Sequence, residues 1–212
     1  MKKRIKGCIV KKKLLLSSLL FVSTLYGSDF ERSDGSWFVG VNLGLTNFGG
    51  SFEISDDERT YKFHEDVDSN PFMLKAGYLQ NHDNRLEFYY KKDNIDINGQ
   101  ELFSTSTVGI KSEWGISSLS NNRLLPYFSL GFGVGASSST LAILDGSVIE
   151  LDIGLGIHYQ VHKNIDATVG FFRRSILNFV SAVDNSSYYD NTSDYLSLAS
   201  VNGIEIGVSY HF

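Results

Sequence analysis

The most regular feature of this sequence is an alternation of apolar and polar positions. In residues 36–46 every second side chain is apolar, from Trp37 to Leu45, and most residues between them are small or polar. Since successive side chains of a β-strand point to opposite faces, this alternation predicts a two-faced strand. Seven further segments repeat it, each close to the length of a membrane-spanning strand, about 9–11 residues: 72–80, 85–91, 104–117, 127–135, 149–160, 165–174 and 201–212.

The links between these segments alternate in length. Three are short or moderately short, at 81–84, 118–125 and 161–164, and four are longer, at 47–70, 92–103, 136–148 and 175–200. Bacterial outer-membrane barrels have short periplasmic turns and longer outer loops. The pattern therefore predicts an all-β protein, an eight-stranded antiparallel transmembrane up-and-down β-barrel of a bacterial outer membrane.

The strands of a soluble β-sandwich or a lipocalin-like barrel would also alternate between apolar and polar side chains. The composition of the polar faces must therefore distinguish a soluble fold from a membrane barrel. In a soluble protein the apolar faces point to a core and the charged residues to water. Here the faces opposite the apolar ones are rich in glycine, of which the chain has 20 against two prolines. Glycine is a poor choice on a water-facing strand, but inside a narrow barrel it makes room for large side chains. The pattern favours a polar lumen and a lipid-facing exterior.

Residues 1–28 have the composition of a secretory signal peptide. They hold seven bases and no acid, and their apolar run, 14–26, is 13 residues long, whereas a spanning helix needs about 20. We expect cleavage near Gly27 or Ser28 and a barrel domain over 29–212; an uncleaved membrane anchor is the alternative. The single cysteine, Cys8, lies before the apolar run, so the mature chain is expected to have no thiol chemistry.

Without the signal segment the chain is strongly acidic, with 12 bases and 24 acids. A nucleic-acid partner is therefore not expected, because a phosphate backbone requires a basic face. Several charges nevertheless lie on the predicted lumen face, five bases against six acids, and in a narrow barrel they must be paired or hydrated. We predict an internal ion-pair network and a plugged lumen, with a narrow water path as the alternative. Its members are Lys75, Arg85, Glu87, Lys91, Lys111, Glu113, Glu150, Asp152, Asp166, Arg174 and Glu205.

Few residues of the sequence are candidates for catalysis or metal binding. His158 and His211 share the lumen face with acids, which would suit a metal site or a catalytic dyad, but polar filling of the lumen is the interpretation we favour. The glycine-rich stretch 131–135 continues a strand and no helix follows it, so it is not interpreted as a nucleotide-binding loop. We expect no enzyme activity, no metal and no cofactor.

Two long links are the first candidates for surface contacts, because function on such scaffolds is often carried by loops. The first contains Asp56, Asp57 and Glu58, which could bind divalent cations or serve only solubility. The last contains Tyr188 and Tyr189 among serine, asparagine and aspartate, a composition found in contact surfaces. The surface ligand is left open.

The last segment carries a further signal. Ile206, Val208, Tyr210 and Phe212 share one face and end in an aromatic residue. This resembles the C-terminal signature of outer-membrane barrels, which the barrel-assembly machinery reads. Together with the strand pattern, it makes the chain similar to small barrels of the OmpA, OmpX and opacity-protein type, and we expect no periplasmic peptidoglycan-binding domain. The resemblance implies contact with outer-membrane lipid and lipopolysaccharide.

Three functions follow as hypotheses. The first is a non-enzymatic outer-membrane protein with a structural or adhesin-like surface role, which the missing catalytic motif favours. The second is a narrow porin-like channel, which the lumen glycines favour. The third, a lipid A-modifying enzyme, is weakened because no serine, histidine and glutamate pattern is found at the predicted membrane rim.

Overall fold

The computed structural model describes most of the chain after the predicted signal segment. The described residues are 35–45, 50–55, 60–63, 67–81, 83–97, 99–116, 119, 123–139, 145–183 and 192–212. The predicted signal peptide, 1–28, lies outside them. Within the described part, no helix is long and apolar enough to cross a membrane.

Alternating side chains form eleven β-strands. In chain order they are β1 Trp37–Leu45, β2 Gly50–Ser55, β3 Thr60–Phe63, β4 Val67–Ser69, β5 Phe72–Leu79, β6 Asn84–Ile97, β7 Gln100–Gly115, β8 Leu124–Ser138, β9 Gly146–His162, β10 Ile165–Val183 and β11 Thr192–His211.

Eight of these strands, β1 and β5 to β11, form a closed antiparallel ring. The ring closes where β1 pairs with β11, with Val39 opposite Tyr210. Closure leaves no unpaired edge among the eight, which a membrane demands because lipid cannot satisfy backbone polar groups. The predicted eight-stranded up-and-down barrel is confirmed.

The register sets the width of the barrel. Followed from Val39 through β5 to β11, it arrives at Ser200, ten residues from Tyr210, with which Val39 itself pairs. A stagger of ten residues over eight strands corresponds to a strand tilt of about 40°. The interior of such a barrel is just wide enough for side chains to fill it.

The faces of the ring strands are the reverse of those in a soluble barrel. The apolar side chains of β1, from Trp37 to Leu45, are 43–54% exposed on the outside, and the side chains between them point inward. In the other ring strands, the inward-pointing side chains that alternate with the apolar ones include the charged residues of the lumen. Similar exposed apolar residues encircle the barrel, for example Phe88, Phe132 and Leu155. An apolar exterior around a charged interior is the arrangement of a transmembrane barrel.

The strands continue further outward than the sequence pattern predicts. The predicted links 92–103 and 175–200 are mostly strand: β6 and β7 extend to Ile97 and Gln100, and β10 and β11 are 19 and 20 residues long. Gly99, with φ of +78°, lies in the turn between β6 and β7. The predicted link 47–70 contains β2 to β4, of which β2 pairs with the outer part of β11.

The outer extension has its own core, and this explains the difference. Beyond the lipid-facing belt the alternation continues, and on β6 and β7 the apolar side chains now point inward, as in a soluble protein. A pattern search for apolar-out strands therefore stops too early. The buried cluster consists of Phe52, Val67, Ile95, Phe103, Val148, Phe172, Ile176, Ala199 and Val201. It forms an apolar cap over the charged lumen.

Candidate functional site

The inner half of the lumen is organised around Lys111 of β7. Its Nζ lies 3.2 Å from Glu87, 3.0 Å from Glu113 and 3.5 Å from Glu205. Lys75 of β5 reaches Glu87 at 3.0 Å. Two buried bases thus face three buried acids from four walls of the barrel, which ties the walls together across the lumen.

A second group lies above the first, centred on Arg174 of β10. Its guanidinium is 2.5 Å from Asp93, 2.8 Å from Asp152 and 3.7 Å from Glu150. Lys91 pairs with the same Asp152 at 2.5 Å and also contacts Glu150. Because an isolated buried charge is very unfavourable, this mutual pairing offsets part of the cost of burying these side chains inside the barrel.

The structure places all eleven predicted lumen residues inward and in ion pairs. Arg85, which is not in either group above, pairs with Asp166. The sequence interpretation missed Asp93, which is buried and bonded to both Arg174 and Ser69 Oγ, the latter at 2.7 Å. Asp93 lies on the same strand face as Arg85 and Lys91, so the alternation in the sequence already indicated that it points inward. Among the described side chains, the buried lumen holds five bases and seven acids.

The two histidines lie in the inner half of the lumen. His158 Nδ1 is 2.9 Å from the Thr168 hydroxyl, its Nε2 is 2.8 Å from Glu113, and its ring stacks on Tyr127 at 4.3 Å. His211 is 3.1 Å from Asp166. A hydroxyl, imidazole and carboxylate in this order resemble the arrangement of a hydrolase triad. However, Thr168, His158 and Glu113 are almost fully buried, so a lipid at the membrane rim cannot reach them.

No metal-binding group emerges from the part of the chain that the structure describes: it contains no set of three or more histidine, cysteine, aspartate or glutamate side chains placed to hold a metal ion. The stretch 131–135 lies within β8, in line with its interpretation as a strand.

Glycines make room for two lumen tyrosines. A Cβ added to Gly109 or Gly133 would lie 2.5 Å or 2.6 Å from Tyr89. In the same way, a Cβ on Gly156 would lie 2.6 Å from the Tyr127 ring. These three glycines therefore do what the sequence pattern indicates, since each makes room for a tyrosine ring from another strand.

We expect Gly156→Ala to destabilise the barrel by about 1–3 kcal/mol, the usual cost of overpacking. The added methyl group would have to displace the Tyr127 ring, which stacks on His158 with ring centroids 4.3 Å apart. Gly131→Ala is the matched control, because its Cβ would meet nothing closer than 3.3 Å. Urea unfolding of the two refolded variants measures the difference; equal stability would mean that Tyr127 is free to move.

The remaining predicted site residues divide between two regions. Ile206, Val208, Tyr210 and Phe212 lie exposed on the outer face, along the seam where β11 meets β1. The candidate surface residues Asp56, Asp57, Glu58, Tyr188 and Tyr189 lie outside the described residues.

An acidic row that the sequence interpretation did not single out crosses the outer extension. Asp68 of β4 is opposite Asp96 of β6, which is in turn opposite Glu101 of β7. Partial burial, followed by the charges of Glu101 and Asp93, raises the pKa of Asp96 above its ordinary value. Because three acidic residues lie side by side, this wall of the extension presents a negative surface. Like charges directly opposite one another also repel.

No family model matches the sequence, and neither does any curated protein. Among solved structures, OprG of Pseudomonas aeruginosa is 12% identical, with 84% of this chain and 97% of that chain covered and a TM-score of 0.50. Neisserial surface protein A is 17% identical, covering 84% and 100%, with a TM-score of 0.48. At these identities the likeness concerns the fold. Together with the closed ring and its apolar exterior, the likeness to OprG shows that this chain has the fold of small outer-membrane β-barrels.

Proposed function

We propose that this chain is a non-enzymatic protein of a bacterial outer membrane that forms a sealed barrel and presents its outer end to the surroundings. The observation that carries the proposal is the filled interior. Two groups of ion pairs occupy the lumen, and the apolar cap covers its outer end. A surface role follows because the part that projects beyond the belt is an extension with its own packed core.

The apolar cap lies across the route that an ion would take through the barrel. Phe52 and Phe103 approach across it with ring centroids 6.2 Å apart, and both are almost fully buried. An ion would have to leave the charged lumen through this apolar layer, where it would find no compensating partner. The sealed barrel is therefore the function class that the geometry supports best.

A narrow channel is the second candidate, and two observations favour it. The lumen wall is less crowded at Gly131 than at Gly109 or Gly156, because an added Cβ would lie 3.3 Å from its nearest neighbour, Asp152. In addition, Arg85 Nε and the hydroxyls of Thr105 and Thr107 are buried and have no hydrogen-bond partner among the described residues, and internal water would satisfy them. A file of such waters would constitute a path if it crossed the cap.

Planar-bilayer recording separates the two candidates. We expect refolded wild-type protein to give no regular conductance steps. The double variant Phe52→Ala, Phe103→Ala, which removes both rings from the cap, is the positive comparison and is expected to conduct more often. Regular steps from the wild type, unchanged in the double variant, would contradict the sealed barrel.

The membrane placement has its own test. We expect the protein in the outer-membrane fraction, as a band whose gel mobility changes on boiling. Recovery in the soluble periplasm would contradict the placement. The enzyme alternative is tested by mass spectrometry of lipid A from cells with and without the gene, for which we expect identical spectra.

A further inference from the structure

The outward face of β10 and β11 contains a polar island within an apolar surface. Arg173 is opposite Asn202, and Ser175 is opposite Ser200, so the four side chains occupy adjoining positions on one face. Below the island, toward the middle of the belt, lie Phe171 and Ile204, which also pair. We call these two residues the lower tier.

A second apolar surface lies on the other side of the island. Leu177 is opposite Leu198, and Phe179 is opposite Leu196. We call these four residues the upper tier. Phe179, Leu196 and Leu198 are 39–45% exposed, although they lie beyond the polar residues that would ordinarily mark the end of the lipid-facing belt. The island is thus bordered by apolar side chains along both strands.

Arg173 places a formal charge on the outward face of this wall. Of the outward-facing side chains that the structure describes on β8 to β11, it alone carries a formal charge. It lies two residues outward from Phe171, and its other cross-strand neighbour is the apolar Ile153. This position is the outer edge of the belt, the level at which lipid headgroups lie.

A guanidinium in this position favours an anion as its partner. Its stem can lie along apolar surface while its head reaches the headgroup layer. A phosphate matches its donors in a bidentate geometry. The upper tier keeps water from one side of the island, which weakens screening and strengthens the charge pair. Two serines and an asparagine beside it supply neutral donors and acceptors of the kind that sugar hydroxyls use.

We infer that Arg173, Asn202, Ser175 and Ser200 form a docking site for the phosphorylated sugar headgroup of an outer-leaflet glycolipid. The acyl chains of the lipid lie against the lower tier and the belt beneath it. This inference rests on the proposed outer-membrane placement, and it names a lipid partner for one wall of the barrel.

Lys92 of β6 provides a built-in comparison. It lies two residues beyond the exposed Tyr90, at the same edge of the belt, with Phe72 and Ser106 as its cross-strand neighbours. Further out, β6 continues with the exposed Asn94, opposite Ser104, where β10 and β11 have leucines. Lys92 is thus a cation at the same level without an upper tier.

The test uses the full chain refolded in detergent micelles, with folding first verified by the boiling-dependent shift in gel mobility. Binding of diphosphoryl lipid A, dephosphorylated lipid A and inorganic phosphate is measured by native mass spectrometry. We expect wild-type protein to retain diphosphoryl lipid A and Arg173→Gln to bind it about tenfold more weakly, as the loss of a charge-assisted pair predicts. Lys92→Gln should bind like the wild type.

Three results would overturn the inference: equal weakening by Arg173→Gln and Lys92→Gln, no effect of removing the phosphates, or inorganic phosphate binding as tightly as the lipid. The last would indicate a site for free phosphate rather than for a lipid. These outcomes are distinct from a failure of the proposed function, which would appear earlier, as absence of the mobility shift or of the protein from the outer membrane.

Discussion

Replacing Arg174 by methionine is expected to cost the barrel about 3–5 kcal/mol of unfolding free energy, the usual cost of removing one partner from a buried ion pair. Arg174 is almost fully buried and contacts Asp93, Asp152 and Glu150. Methionine fills much of the same volume but leaves Asp93 with no cation among its described ion pairs. The measurement is urea unfolding of the refolded protein in micelles without added glycolipid.

The neighbouring residue is the matched control. Arg173 precedes Arg174 on the same strand but faces outward, so Arg173→Met should change stability in these micelles by no more than about 0.5 kcal/mol. The double variant Arg174→Met, Asp93→Asn should recover part of the loss, because it removes a carboxylate left without its partner. Equal stability of the two arginine variants would mean that the carboxylates around Arg174 are protonated or hydrated rather than ion-paired.

Membership of the lumen network could be predicted from the sequence, but its partners could not. The period of two in a strand settles which side chains share a face, so Lys111 and Glu205 are both assigned inward without knowledge of the fold. That their charged atoms lie 3.5 Å apart, although 94 residues separate them, depends on the closure of the ring and its ten-residue stagger. Neither quantity is readable from alternation alone.

The outer extension shows where pattern reasoning fails for a physical reason. Ile95 and Phe103 continue the alternation of β6 and β7, but on the inward face, because water replaces lipid outside the barrel at this height. A search for apolar-out segments therefore assigns these residues to loops. The same search ends the third predicted strand at Lys91, two residues before Asp93. The change of pattern therefore marks the boundary of the membrane and not the end of a strand.

Removing Phe212 is expected to impair assembly far more than any single loop deletion. Phe212 lies on the seam of the ring, where its backbone N–H donates to the carbonyl of Trp37 at 3.1 Å and its ring lies 6.1 Å from that of Tyr210. It is 66% exposed, so it contributes little to the packing of the folded barrel. A large effect on assembly combined with a small effect on stability would therefore support the resemblance to a signal read by the barrel-assembly machinery.

Two measurements separate these effects. The amount of heat-modifiable protein in the outer-membrane fraction reports assembly in cells, and urea unfolding of protein refolded without the machinery reports stability. We expect the first to fall severalfold for the Phe212 deletion and the second to change by no more than about 1 kcal/mol. Phe128→Ala, which truncates another exposed aromatic side chain of the belt, is the control and should leave assembly nearly unchanged. Normal membrane insertion of the deletion variant would refute the assembly role of this ending, and parallel losses in both measurements would make Phe212 a structural residue of the seam.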